Sequence, residues 1–230
     1  MKTIGLIGGM SWESSSEYYR FINEGVKSSL GGLHSAKCIL YSVDFEEVER
    51  YQSLGKWDQA AGLLIEAAQS LEKAGADFLI LCTNTMHKVY QDISSSVTIP
   101  FLHIADAAAA QIRKEGIVTV GLLGTRYTME QDFYKERLLN NGINVIIPAR
   151  EDRERINAII FDELCVGRVE SPSRDFFQEV MKKLYSKGAE GIVLGCTEIG
   201  LLITGGDWEL PIFDTAAIHA EEAVKKALQD

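Results

Sequence analysis

Two short polar loops, each directly after an apolar run, carry residue types suited to proton transfer. They read Cys82-Thr83-Asn84-Thr85 and Gly195-Cys196-Thr197-Glu198. A cysteine thiol suits acid/base work because its free pKa of about 8.5 can be lowered towards neutrality by a helix N-terminus or hydrogen bonds. We expect this at Cys196, with a helix beginning after it and Thr197 as the candidate cap. The two loops predict proton transfer at a carbon atom.

An internal repeat decides which residues of the two loops correspond. Gly75–Leu81 resembles Gly188–Leu194, 113 positions later, and the same offset aligns Thr83, not Cys82, with Cys196. If strand alternation continues, Cys82 and Thr83 point to opposite sides. Inverting a carbon centre requires a proton to leave one face and another to arrive at the opposite face. We therefore predict Thr83 and Cys196 as a catalytic pair that duplication has supplied.

Two further blocks repeat in the same order. Thr3–Gly8 resembles Thr119–Gly124 at an offset of 116, and Ile99–Phe101 resembles Leu210–Ile212 at an offset of 111. Any one strand–loop–helix block recurs in many α/β proteins, but three in order with nearly constant spacing indicate duplication.

The elements that must position these loops are short apolar runs separated by longer amphipathic stretches. The predicted strands are Thr3–Ile7, Lys37–Val43, Phe78–Leu81, Pro100–His103, Val118–Leu123, Asn144–Ile147, Gly191–Leu194 and Pro211–Phe213. The predicted helices include Asp58–Lys73, Met129–Asn140, Arg153–Leu164, Arg174–Ser186 and Ala216–Leu228. This alternation is typical of parallel sheets with both faces covered.

We predict an α/β fold of two similar parallel-sheet halves that arose by internal duplication. The expected halves are 1–110 and 111–210, and the segment of about 211–230 is expected to pack back on the first. Ligands of parallel sheets bind beyond the carboxyl ends of the strands. We therefore expect the active site in the cleft between the halves.

Composition limits the function classes. The chain has 230 residues, 46% hydrophobic and 24% charged, with a formal net charge of −10. The acidic balance and the lack of a Lys/Arg cluster argue against nucleic-acid binding. No apolar run approaches the ~20 residues of a membrane span, and early glycines interrupt any signal-peptide core. We expect a cytoplasmic protein without a membrane partner. The four cysteines and four histidines follow no metal-ligand spacing, so we expect no metal.

Four motifs in order resemble the aspartate/glutamate racemase family over essentially the whole chain, and most of all its enterobacterial members with L-aspartate/glutamate or broad specificity. The motifs are Gly8-Gly9-Met10, Thr83-Asn84-Thr85-Met86-His87, Gly124-Thr125-x-x-Thr128 and Gly195-Cys196-Thr197-Glu198. The resemblance implies racemisation of a small acidic amino acid, no cofactor such as pyridoxal phosphate, and a homodimer. It also implies a substrate pocket lined by Met10, Gln52, Asn84, Thr85, Thr125, Thr128, Thr197 and Glu198.

The chain departs from the family pattern at informative positions. The family loop has cysteine directly before Asn-Thr, whereas this chain has Thr83. Because a threonine hydroxyl is a poor general base, we expect Cys196 to serve one enantiomer and the turnover to be asymmetric. Family members have a lysine that binds the side-chain carboxylate of the substrate, and this chain has Cys165 at that place. The departure is compatible with other amino acids as substrates. His87 is more typical of a hydrogen-bonded structural residue than of a catalytic one.

Two alternatives remain open at this stage. Relatives of this architecture include decarboxylases and cis–trans isomerases of small carboxylic acids, and such chemistry would need Cys196 alone. An amino-acid-binding protein that has lost catalysis is the other alternative, because the first cysteine is out of register.

Overall fold

The computed structural model describes residues 1–203, 208 and 210–229. The chain divides into two compact units, Met1–Ile104 with His219–Asp230, and Ala105–Ile218. The α-helices are α1 Trp12–Leu30, α2 Phe45–Ser53, α3 Trp57–Lys73, α4 Tyr90–Ser94, α5 Ile104–Lys114, α6 Arg126–Glu130, α7 Asp132–Leu139, α8 Arg150–Asp162, α9 Ser171–Ser186, α10 Ile199–Leu202 and α11 Thr215–Leu228. Short 3₁₀ helices span Thr85–Val89 and Leu164–Val166.

Each unit contains a four-stranded parallel sheet. The strands are β1 Ile4–Gly8, β2 Cys38–Ser42, β3 Phe78–Leu81, β4 Phe101–Leu102, β5 Thr119–Gly124, β6 Asn144–Ile146, β7 Gly191–Gly195 and β8 Ile212–Asp214. Their orders are β2-β1-β3-β4 and β6-β5-β7-β8, with every neighbouring pair parallel. The prediction of an α/β fold with two similar parallel-sheet halves is confirmed. All eight predicted strands agree with the observed ones to within one residue at each end.

Within each sheet, an acidic side chain accepts a backbone N–H at the start of a central strand, and the two acidic residues are equivalent. Asp77 Oδ2 accepts the Thr3 N–H (2.6 Å), and Glu190 Oε2 accepts the Thr119 N–H (2.9 Å). Asp77 and Glu190 are 113 positions apart, the offset of the sequence repeat. Each carboxylate thus provides a partner for a backbone amide at the start of a central strand.

Two glycines on the central strands allow the same close packing in both units. A Cβ added to Gly5 would lie 2.6 Å from Leu79 Cδ2 and 3.4 Å from Leu71 Cβ. A Cβ added to Gly121 would lie 2.8 Å from Ile192 Cδ1 and 2.9 Å from Leu184 Cδ1. Leu71 and Leu79 precede Leu184 and Ile192 by 113 positions, so the duplication extends to individual side-chain contacts.

Helix α3 illustrates how the sheet of the first unit is covered. It buries one stripe at helical spacing, formed by Ala60, Ala61, Leu64, Ala67, Ala68 and Leu71. These side chains share a core with Ile7, Leu79 and Leu81 of the sheet. The chain then turns at Gly75, whose positive φ of 94° suits glycine, and Gly188 makes the equivalent turn with φ 97°. The turn returns the chain to β3, at whose end the first polar loop begins.

Two helical predictions were incomplete. The predicted helix Met129–Asn140 is divided between α6 and α7, because Gln131 adopts extended backbone angles (φ −85°, ψ 156°). Helix α2 was not among the predicted helices. No helix in the described part of the chain is long and apolar enough to cross a membrane.

Candidate active site

The loop after β3 separates Cys82 from Thr83. The Cys82 N–H donates to the Ile7 carbonyl (2.9 Å), so sheet pairing continues through this residue. Its side chain is fully enclosed in the core, and burial raises the pKa of its thiol well above the usual range. Thr83 retains 8% exposure. The cysteine of this loop therefore belongs to the core, and its hydroxyl neighbour is the more accessible of the two.

His87 holds the backbone of Thr83. Its Nδ1 lies 2.7 Å from the Thr83 carbonyl oxygen, and its Nε2 lies 3.3 Å from the Ile104 backbone nitrogen. A carbonyl only accepts and an amide N–H only donates, so the ring is neutral and carries its proton on Nδ1. His87 is buried on the 3₁₀ helix Thr85–Val89, which begins directly after the loop. Asn84 and Thr85, two predicted pocket residues, are buried at its start.

The loop after β1 is joined to the loop after β3. The Gly9 N–H donates to Ser15 Oγ (2.8 Å), and the Ser15 hydroxyl donates to the Ser11 carbonyl (2.9 Å). A Cβ on Gly8 would lie 2.6 Å from Ser15 Oγ, so glycine is needed for helix α1 to approach this closely. The hydroxyl of Ser14 donates across to the Cys82 carbonyl (3.5 Å).

Two further predicted pocket residues are buried in the first unit. Met10 lies in the loop after β1, and Gln52 lies on α2. The Gln52 Nε2–H donates to Met86 Sδ (2.9 Å), which places Gln52 against the 3₁₀ helix that follows Thr83. The structure thus brings Gln52 to the Thr83 loop within this unit.

In the second unit Thr125 and Thr128 lie beside the Cys196 loop. Thr125 caps α6, and its Oγ1 accepts the Thr128 N–H (3.3 Å) and lies 3.2 Å from Thr128 Oγ1. Cβ atoms on Gly124 and Gly195 would each lie 3.2 Å from a carbon of the Thr128 side chain. The two glycines at the ends of β5 and β7 therefore make room for Thr128, and both predicted threonines are buried at the carboxyl ends of these strands.

The Cys196 thiol is in direct contact with a buried carboxylate. Its S–H donates to Glu198 Oε2 (2.9 Å), and the Thr197 hydroxyl donates to the same oxygen (2.8 Å). Cys196 is 7% exposed, Glu198 is 3% exposed, and Thr197 is half-buried. That Thr197 and Glu198 line the substrate pocket stays a prediction.

The expected lowering of the Cys196 pKa is wrong. Burial and then the charge of Glu198 raise the pKa of this thiol well above its usual range. The helix expected to oppose this effect, α10, has only four residues, and it begins after Glu198 with no side-chain cap. Thr197 does not cap it, because its hydroxyl is directed to Glu198. The thiol therefore needs a proton acceptor before it can act as a base.

Metal ligation has no support in the described part of the chain. Among these residues, no group of three or more His, Cys, Asp or Glu side chains is placed to hold an ion. The loop after β3 offers thiol, hydroxyl, amide and imidazole groups, and the loop after β7 offers thiol, hydroxyl and carboxylate groups.

Comparison with known proteins identifies the chain's relatives. A family model described as Asp/Glu/hydantoin racemase matches residues 7–223. The chain belongs to this family. The broad specificity amino-acid racemase RacX of Bacillus subtilis (strain 168) is 29% identical over 177 residues, 74% of each chain. The resemblance to the aspartate/glutamate racemase family that the motifs predicted is confirmed.

Solved structures support the same assignment. The crystal structure of a candidate Asp/Glu racemase from Yersinia pestis matches with a TM-score of 0.92 and 57% identity, over 100% of both chains. That of PH1733, an aspartate racemase homologue from Pyrococcus horikoshii OT3, matches with a TM-score of 0.87 and 37% identity, again over 100% of both chains. The chain is an enzyme of the isomerase class, an amino-acid racemase, as predicted. The roles of its individual site residues stay predictions.

Proposed function

We propose that the racemase acts on aspartate or glutamate, accepts some other amino acids, and transfers protons at Cα between Cys196 and Thr83 without a cofactor. The observation that carries this proposal is the equivalence of the two loops. Cys196 follows β7 and Thr83 follows β3, and these strands hold the same place in two sheets of identical order. Two groups that follow equivalent strands of duplicated units suit a reaction that treats the two faces of one carbon alike.

The substrate class rests on what the relatives are named for. RacX is named for broad amino-acid specificity, and the proteins from Yersinia and Pyrococcus are named for aspartate or glutamate. The replacement of a family lysine by Cys165 favours the broader range, because a thiol does not pair with a side-chain carboxylate as an ammonium group does.

Cys196 is the competent base of the pair. Once its proton has been removed, the thiolate takes the Cα hydrogen from one face. On the other face Thr83 delivers a proton directly or through a water molecule. Its hydroxyl is too weakly acidic to lose its proton near neutral pH, so Thr83 is a poor base without help. The residues proposed to orient the substrate are buried polar and thioether side chains: Met10, Gln52, Asn84, Thr85, Thr125 and Thr128.

The inequality of the two groups has a kinetic consequence. One enantiomer should lose its Cα hydrogen to Cys196 much faster than the other loses its own to the Thr83 side. The overall equilibrium constant between enantiomers must remain one, so a low KM must accompany the lower kcat for the slower enantiomer. A homodimer in the cytoplasm, acting on a small amino acid and not on nucleic acid, is the remaining part of the proposal.

The test is a chiral chromatographic assay of both enantiomers of aspartate, glutamate and several neutral amino acids. We expect racemisation of at least one acidic amino acid, and at least a 100-fold loss in Cys196→Ser, because the hydroxyl cannot replace the thiol as base. Cys38→Ser is the matched control. Cys38 is also a free cysteine, but it lies at the start of β2, away from both loops along the chain. Equal activity in the two variants would contradict the proposal.

A decarboxylase or cis–trans isomerase that uses Cys196 alone is the second candidate. The complete burial of Cys82 favours it, because that cysteine is removed as a second thiol. Substituted malonates and maleate, assayed beside the amino acids, separate the two candidates. Turnover of these acids without racemisation of any amino acid would favour the second.

A further inference from the structure

The contact between Cys196 and Glu198 has a consequence for where the thiol proton goes. Both side chains are buried, and the sulfur lies 2.9 Å from one carboxylate oxygen. Two negative charges in contact inside a protein are strongly unfavourable, so the thiol and the carboxylate hold at least one proton between them. With one proton between them, the pair carries a single negative charge whether that proton is on sulfur or on oxygen.

The carboxylate is held ready to receive that proton. The Thr197 hydroxyl donates to the same Oε2 atom that accepts from the thiol (2.8 Å), which fixes the position of this oxygen. The hydrogen bond from sulfur to oxygen is already formed, so transfer requires no rearrangement of either side chain. Thr197→Val removes the supporting hydrogen bond and leaves the carboxylate, which separates orientation from proton acceptance.

We propose that Glu198 is the proton acceptor of Cys196, a catalytic residue in contact with the reacting sulfur. This inference rests on the proposed function, in which Cys196 is a base. The S–H bond breaks, its proton forms an O–H bond at Glu198, and the resulting thiolate removes the Cα hydrogen and becomes a thiol again. The opposite face of Cα then receives a proton from the Thr83 side.

The proton balance closes through solvent. After one turnover Glu198 holds one extra proton, and the group that protonated the opposite face lacks one. Glu198 releases its proton to water, and water restores the other group. In the reverse direction Glu198 starts protonated, the Cys196 thiol donates to Cα, and Glu198 returns the proton to sulfur.

The test compares Glu198→Gln with wild type in two assays. The first is the pH dependence of Cys196 alkylation by iodoacetamide in the free enzyme, followed by peptide mass spectrometry. The second is the exchange of the Cα hydrogen of aspartate in D₂O, followed by proton NMR. Since the carboxylate contributes to the raised pKa of the thiol, Glu198→Gln should speed alkylation at neutral pH. It should also slow Cα exchange about 100-fold or more, the scale of a lost general base.

Only this combination supports the proposal. A loss of both activities would indicate a merely structural role and overturn it, and so would a gain of both, which would reduce Glu198 to a repelling charge. An exchange rate within about threefold of wild type would likewise overturn it. Thr197→Val, which keeps the carboxylate, should lose less exchange activity than Glu198→Gln, and the opposite ranking would contradict the assignment.

Failure of the proposed function gives a different pattern. If wild-type enzyme exchanged no amino acid, the two-base proposal would be refuted. The alkylation assay needs no substrate and would still test whether Glu198 and Cys196 share a proton. An unchanged pH profile of alkylation in Glu198→Gln would overturn that proposal.

Discussion

Cys196 and Thr83 follow equivalent strands, but different groups hold them. The thiol of Cys196 is bonded through its own reacting atom, to the carboxylate of Glu198. Thr83 is held through its backbone carbonyl, by the imidazole of His87. One contact changes the proton affinity of a reacting atom, whereas the other fixes where a hydroxyl is presented. Duplication has therefore kept the two positions and diversified the groups that support them.

His87 should act on Thr83 by position. In His87→Asn, the side-chain Nδ2–H can replace the ring Nδ1–H that donates to the Thr83 carbonyl. In His87→Gln, the longer side chain reaches the position of Nε2 near the Ile104 nitrogen instead. We expect His87→Gln to lower kcat about 10- to 100-fold with a smaller change in KM, because small displacements of a reacting group cost this much. His87→Asn should keep more of the activity. Steady-state racemisation kinetics measure both.

The unfolding free energies of His87→Gln and His87→Asn provide the control for this comparison. Both variants lose one buried hydrogen bond and should lose about 1–3 kcal/mol of unfolding free energy. If the two variants lost equal activity, or if Gln retained more than Asn, His87 would not be acting through the Thr83 carbonyl.

At the residue scale, the sequence pattern selects candidate residues but not their contacts. The 113-residue offset selects Thr83 over Cys82, and the structure buries Cys82 fully in the core. The Glu198 contact could not be predicted, because two side chains separated by one residue meet only in the turn that follows β7. The same turn explains the wrong direction predicted for the Cys196 pKa, since a pattern of residue types contains no measure of burial.

The strands were the most predictable elements, and the helices followed less closely. A buried parallel strand is a continuous apolar run, and Phe78–Leu81 was predicted with its observed bounds. Helix α2 was not predicted, because most of its residues are polar and only Val48 and Gln52 are buried. The break between α6 and α7 at Gln131 involves neither glycine nor proline, and nothing in the local sequence signals it.

The central strands offer a test of the duplication. Gly5→Ala and Gly121→Ala each place a methyl group within 3.0 Å of an equivalent side chain, Leu79 in the first unit and Ile192 in the second. We expect each variant to lose about 1–3 kcal/mol of unfolding free energy, the usual cost of overpacking a core. Chemical denaturation measures this loss.

Gly62→Ala is the matched control. Gly62 is exposed on helix α3, and an added Cβ would meet no atom within 4 Å. Alanine should stabilise this helix by about 0.5–1 kcal/mol. A neutral effect of Gly5→Ala with a damaging effect of Gly121→Ala would show that the two strands are not packed alike.

At the scale of the whole molecule, the chain returns to its first unit after completing the second. His219 on α11 is bonded to the Tyr18 hydroxyl through Nδ1 (2.9 Å) and to the Leu102 carbonyl through Nε2 (3.1 Å). The Lys2 N–H also donates to the Ala227 carbonyl (2.8 Å). These contacts join the C-terminal helix to both ends of the first segment.

His219 should make stability depend on pH. Burial lowers its pKa from 6.5 to about 4. Between these values the unfolded chain binds a proton that the folded chain does not, so the contribution to stability is full above pH 6.5 and falls as the pH drops towards 4. The loss should be roughly 3 kcal/mol. Urea denaturation of wild type and His219→Gln between pH 4 and 7 measures it as the change in their difference.

The exposed residue His34 is the control for this titration. His34→Gln should leave the pH dependence of unfolding as in wild type. A wild-type protein whose stability advantage over His219→Gln stayed constant from pH 7 to 4 would contradict a buried neutral His219.

The central claim is that Cys196 and Thr83 serve opposite faces of one carbon and are unequal bases. The most direct measurement is the initial rate of deuterium incorporation at Cα in D₂O, with L- and D-aspartate incubated separately at concentrations that saturate the enzyme. Wild type should exchange one enantiomer much faster than the other, Cys196→Ser should abolish the faster exchange, and Thr83→Cys should narrow the difference. Equal wild-type rates for the two enantiomers, or a faster exchange that survives in Cys196→Ser, would contradict the account.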